Sequence, residues 1–260
     1  MNSHGKPLAC SRTAMPVSVY RRKFAGVAAL VLFFVSHVTD GQVASAATKA
    51  KLASAESATH ATAGARIADF GKENPSADAR HVADWVAESR NNASMDFLIV
   101  DKKFARVYVF DAGARLRGAS TILLGSARGD DSVPGIGTRP IAQVRPSERT
   151  TPAGRFLAER GRNSKGEDVI WVDYDAAVSI HRVRTSNVKE RRLERLATPT
   201  IADNRISYGC INVPVAFYES HVRPVFAARR AIVYVLPEVK SVQQVFGISN
   251  VVPAPAPKVI

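Results

Sequence analysis

Three short runs of β-branched and aromatic residues follow one another closely: Phe97-Leu98-Ile99-Val100, Arg106-Val107-Tyr108-Val109-Phe110, and Ala119 to Leu124. Turn-like Asp101-Lys102-Lys103 and Asp111-Ala112-Gly113 separate them, which predicts a β-meander. Further strands are expected at 154–159, 169–172, 177–182 and 231–236, with a hairpin turn at 163–166 between the first two. Short strands with few helices predict a mostly β domain. A chain of 260 residues, 46% hydrophobic and 23% charged, can bury a sizeable core, so wholesale disorder is excluded. Two cysteines exclude both a disulfide framework and a four-thiolate zinc site.

The N-terminus reads as an export signal over residues 1–46. Arg21, Arg22 and Lys23 precede twelve uncharged residues from Phe24 to Val35, and Ala44-Ser45-Ala46 offers small residues for cleavage. That apolar run is short for a membrane-spanning helix. Cys10 falls within the segment, which leaves Cys210 as a solitary thiol in an oxidising compartment. The expected location is the periplasm or cell envelope, with membrane contact only through the signal. The formal net charge of +13 would suggest nucleic acid in the cytosol; outside it, wall peptide carboxylates, wall polymers and lipid headgroups are the available polyanions, and no nucleic-acid partner is expected.

Residues 47–74, rich in Ala, Ser and Thr without an apolar stripe, are expected to form a tether. A helical lead-in occupies 75–95, where Ser76 can cap a helix reaching about Arg90 with Val82, Trp85 and Val86 as contacts. The main domain is 96–238, and 239–260 reads as a C-terminal helix and Pro/Ala-rich tail. Two stretches interrupt the strand pattern. Residues 125–151, punctuated by Gly and Pro, form a candidate binding loop; between Ser186 and Ala197, a basic surface helix is expected, with a thin apolar line through Val188, Leu193 and Leu196.

The chemistry concentrates in Ile206-Ser207-Tyr208-Gly209-Cys210-Ile211-Asn212, followed by Pro214 and a predicted helix towards His221. A thiol beside glycine at the N-terminal side of a helix suits a nucleophile, because the helix dipole lowers its pKa and backbone N–H groups can meet an oxyanion. The base would be His181, at the end of the strand Val178-Ser179-Ile180-His181 and on the same face as Ser179. Arg139, Arg145, Arg149 and Arg155 are candidates for holding a substrate carboxylate, against the commoner alternative of solvated loop arginines.

Thr151-Pro152-Ala153-Gly154-Arg155-Phe156, then Ile180-His181, then Ser207-Tyr208-Gly209-Cys210-Ile211-Asn212, in that order after a β-meander, resemble the L,D-transpeptidase catalytic (YkuD) domain over roughly 96–237. The resemblance implies a β-sandwich-like catalytic domain with a few short helices that cross-links peptidoglycan. It implies Cys210 as nucleophile and His181 as general base and later acid. The Gly209 and Cys210 amides would form the oxyanion site, with Ser207 and Asn212 orienting the loop. Tyr208 is a further candidate for an orienting part, and Arg139, Arg155 and Arg182 are candidates for binding substrate, on their place in the sequence and not on the resemblance. It implies no metal and no cofactor. The partners would be stem peptides, with an amine of a neighbouring stem or a wall-anchored protein as acceptor. Water as acceptor would make the protein an L,D-carboxypeptidase, and loss of chemistry a peptidoglycan-binding protein. The chain departs from the pattern at Tyr208, where His or a small polar residue is usual, at Arg182, where Gly or Ser is usual, and in the longer stretch between His181 and Ser207.

Overall fold

The computed structural model describes residues 66–227 and 230–248. The segment expected to form an export signal, most of the expected tether and the Pro/Ala-rich tail lie outside the described residues. Ten strands follow in chain order: β1 (Phe97–Asp101), β2 (Arg106–Phe110), β3 (Leu116–Thr121), β4 (Leu124–Gly125), β5 (Gly154–Arg162), β6 (Asp168–Asp173), β7 (Val178–Arg182), β8 (Arg205–Ser207), β9 (Ile211–Val213) and β10 (Ala231–Val235). Eight form one sheet in the order β3-β2-β1-β10-β5-β6-β7-β9, and β4 pairs with β8. The β1–β10 and β7–β9 pairs are parallel. Just beyond β3, Leu123 exchanges both backbone hydrogen bonds with Asn212 of β9, so the two edges of the sheet meet and the sheet nearly closes. The domain is mostly β with short helices, as the strand pattern predicts.

Alternation along the strands produces two apolar layers from one sheet. Leu98, Val100, Val107, Val109, Val233 and Val235 point into one cluster, shared with Ile170, Ile180 and Ile211. Phe97, Ile99, Tyr108, Phe110, Ile232 and Tyr234 point to the other side, against Val82, Ala83 and Val86 of helix α1 (Ala77–Ser89). With both faces covered, β1 is buried throughout. The Ser76 hydroxyl caps α1 by accepting from Ala79 N at 3.1 Å and ties it to β1 by donating to Asp101 Oδ2 at 2.5 Å.

The fold begins earlier than the tether boundary at residue 74. Asp69 bridges to Arg115 through backbone bonds, and Phe70 packs edge-on against Tyr108 and Phe110. Burying Phe70 contributes about 1.5–3 kcal/mol, and the Ala68 amide bonding Asp84 and Glu73 pairing with Arg106 help to hold the segment in place.

The basic segment also differs from expectation. A 3₁₀ turn (Val188–Glu190) and α2 (Arg192–Ala197) are separated by Arg191 in the left-handed region. Val188 and Leu193 are exposed, so no apolar line anchors the segment. Arginine hydrogen bonds hold it instead: Arg195 donates to Glu190 O and Asp203 O, and Arg192 to Asn212 Oδ1 at 2.6 Å.

Candidate active site

The parallel pairing of β7 with β9 sets Ile180 opposite Ile211 and His181 opposite Asn212. One residue earlier on each strand, the Ser179 hydroxyl lies 3.8 Å from Cys210 Sγ. Because side chains alternate, Ser179 and His181 share a face, which is therefore the face the sulfur meets. Ser179, Ile180, Ile211 and Asn212 are fully buried, whereas His181 and Cys210 keep 7% and 6% exposure. Around the Ser179–Cys210 contact, the thiol and the imidazole thus retain some access to solvent. His181 Nδ1 is 2.7 Å from the carbonyl oxygen of Arg182. A carbonyl only accepts, so Nδ1 carries the hydrogen and Nε2 the lone pair. Cys210 Sγ also lies 3.6 Å from Ala177 O.

The backbone around the cysteine is fixed from several directions. Ser207 Oγ donates to Cys210 O at 2.6 Å and accepts from Gly209 N at 3.1 Å. The Gly209 amide, one of the two donors implied for an oxyanion, is thus taken up by Ser207, whose short side chain reaches the amide two residues on. Asn212 Nδ2 donates to Cys210 O at 3.2 Å while Arg192 holds its Oδ1. Thr151 Oγ1 donates to Gly209 O at 2.8 Å and accepts from Gly125 N at 2.9 Å. Behind Thr151, buried Lys102 spends all three ammonium protons on Thr151 O, Gly129 O and Asp130 Oδ1, at 2.6–2.8 Å. Burial alone would raise the Asp130 carboxyl, but hydrogen bonds from Lys102 and from the Lys240 and Glu238 amides hold it down at about 2. Sequence reasoning missed Lys102, which sits in a turn where a lysine is ordinarily solvated.

Gly209 adopts φ +128°, and a Cβ there would lie 2.6 Å from Thr150 O. Gly209→Ala is expected to destabilise the fold by roughly 1–3 kcal/mol through the backbone conformation, before the clash adds to it. Urea unfolding measures this, and an unchanged midpoint would contradict it.

One expectation about the thiol is corrected. Cys210 is followed by strand β9, and the first helical turn, Val215–Phe217, starts only after Pro214, whose carbonyl accepts from Tyr218 N. A helix dipole acts within its first turn, so it does not reach Cys210. His221 is also far from a base role: its ring packs 4.9 Å from that of Phe217 and against Gly118.

The arginines divide by partner. Arg139 and Arg145 both grip Glu148 at 2.8 Å, and the Arg145 side chain and amide together with Arg139 hold that carboxyl down at about 2. Arg155 reaches Asn91 Oδ1 and O at 2.7 and 2.8 Å, on the α1 side of the sheet. Arg182 pairs with Glu219 at 2.6 Å and lies over the Tyr218 ring. Arg149 lies over the Tyr208 ring, 4.0 Å from its centroid.

No protein-family model matches the sequence, and no curated protein matches it. Among solved structures, the helical cell shape determining protein Pgp2 from Campylobacter jejuni is 17% identical, over 56% of this chain and 49% of that one, at a TM-score of 0.39. The C442S mutant of Enterococcus faecium L,D-transpeptidase is 17% identical over 55% and 50%, at 0.30. An L,D-transpeptidase from Mycobacterium tuberculosis is 14% identical over 54% and 57%, at 0.32. The chain spans about half the length of these structures.

Proposed function

We propose that this chain is an exported cysteine L,D-transpeptidase of cell-wall stem peptides. The observation that supports the reading is that Cys210 Sγ meets Ser179 on the strand face of β7 that His181 shares, with the Arg182 carbonyl engaging Nδ1 of the imidazole. In the proposed reaction Nε2 of His181 takes the thiol proton and the sulfur attacks the carbonyl of the third residue of a donor tetrapeptide. The oxyanion forms against the Gly209–Cys210 backbone, where it competes with Ser207 for the Gly209 N–H. The C–N bond then breaks, the imidazolium returns its proton to the leaving amine of D-alanine, and a thioester remains. An amine of a neighbouring stem attacks that thioester, giving its proton to His181, which restores the thiol.

Intact mass spectrometry after incubation with a donor tetrapeptide tests the reading. The full chain should gain the tripeptide acyl mass on Cys210 and release D-alanine, and Cys210→Ala should gain nothing. No adduct on the wild type, or an adduct persisting on the Ala variant, would overturn the proposal. An amine acceptor should then convert the adduct to cross-linked product; conversion to the free tripeptide alone would identify an L,D-carboxypeptidase.

A further inference from the structure

Arg149 is a guanidinium close in the chain to the site whose charge is left unmatched among the described residues. Arg139 and Arg145 share Glu148, Arg182 takes Glu219, Arg192 takes Glu190 and Lys102 takes Asp130. Arg149 has no carboxylate within ion-pair distance among the described residues. Its only protein acceptor there is Val144 O, at a long 3.3 Å from Nη2. Its Nε is sealed from solvent with no hydrogen-bond partner. An unmade buried hydrogen bond costs about 1–3 kcal/mol, so stability alone does not account for an arginine here.

The residue is nevertheless mounted firmly. Its carbonyl accepts from Ala127 N at 3.1 Å and abuts Gly125 so closely that a Cβ there would lie 2.3 Å away. The next carbonyl, of Thr150, abuts Gly209. The guanidinium carbon lies over the Tyr208 ring, two residues before Cys210. That contact engages the charge of the fork, and the half-buried side chain keeps Nη donors beyond the one long bond to Val144 O. A planar, charged, paired donor matches a carboxylate.

We propose that Arg149, stacked on Tyr208, holds the C-terminal carboxylate of the acyl-donor peptide beside Cys210. The inference rests on the transpeptidase reading and deepens it. It gives Tyr208 a definite part, as the platform that orients the arginine.

The test compares a donor tetrapeptide as free acid with the same peptide as C-terminal amide, measuring thioester formation by intact mass on the full chain, Arg149→Gln and Arg149→Lys. The wild type should favour the acid by roughly 10- to 100-fold in kcat/KM, the worth of a hydrogen bond between charged groups. Arg149→Gln should erase the preference, with a loss on the acid that falls on KM and exceeds any loss on the amide by that same roughly 10- to 100-fold, and Arg149→Lys should keep part of it. Equal losses on acid and amide would assign Arg149 a merely structural part and overturn the inference, as would a preference that survives Arg149→Gln. A wild type that acylates with neither peptide would instead bring down the transpeptidase reading, and this inference with it.

Discussion

His181→Ala is expected to slow thioester formation at Cys210 by roughly 10²- to 10⁴-fold, the range over which a positioned general base acts. The argument is geometric. Nδ1 of His181 donates to Arg182 O at 2.7 Å, which leaves Nε2 as the basic nitrogen, and the ring lies on the strand face that Ser179 shares with the sulfur. With the helix of Val215–Phe217 too distant to act on the thiol, the imidazole is the group left to take its proton. A second variant separates base from scaffold. His181→Asn offers an amide N–H to the Arg182 carbonyl but has no lone pair in place of Nε2, so it should match His181→Ala in rate while keeping a wild-type urea midpoint. Added imidazole should recover part of the Ala variant's activity and none of the Asn variant's, whose side chain fills the space. Acylation by His181→Ala within about threefold of wild type would remove His181 from the base role.

Features carried by local pattern were legible in the sequence. The alternation in Phe97–Val100 and Arg106–Phe110 follows from period-two burial, and Ser76 does cap α1, because a serine before a helix needs only its own backbone to act. Cys210 and His181 are singled out in the sequence by the short motifs around them, the first read as preceding a helix and the second as ending a strand. What failed depends on partners distant in sequence. Pro214 correctly marks a helix start, but the three residues after Cys210 are claimed by β7 and by Leu123, so a strand intervenes where proximity suggested a helix. The segment 192–197 is helical as its propensities predict, yet it is held by Arg192 and Arg195 reaching residues up to 20 positions away and not by Leu193. Arg139 and Arg149 are equivalent in sequence; only the position of Glu148 in the folded loop distinguishes them. Lys102 is the clearest case, since its three hydrogen-bond partners lie 27, 28 and 49 residues away.

Lys102→Met should destabilise the protein by about 3–5 kcal/mol, the cost of removing one partner from a buried ion pair. For a domain of this size that corresponds to a fall in Tm of roughly 6–20 °C. Methionine fills much of the volume but leaves Asp130 with one hydrogen bond fewer, Glu238 without the ammonium 3.8 Å away, and the carbonyls of Gly129 and Thr151 unpaired in a buried place. The sign of the pH dependence identifies the cause. In the wild type Asp130 is held at about 2, below its unfolded value of 3.8, so its contribution is complete above about pH 4 and is lost as pH falls towards 2. Without Lys102 the amides of Glu238, Val239 and Lys240 still bind Asp130 but the carboxyl rises from about 2, so the variant should lose less stability than the wild type as pH falls from about 4 towards 2. Adding Asp130→Asn should likewise return part of the loss at pH 7. A deficit below about 1 kcal/mol, or one independent of pH, would show that the pair does not anchor this region. Function should suffer beyond stability, because Thr151, released at its carbonyl, no longer fixes Gly209 O at 2.8 Å. The Gly209–Cys210 peptide then loses the orientation on which the proposed acyl transfer would depend, so acylation should fall in the variant even at temperatures where it remains folded.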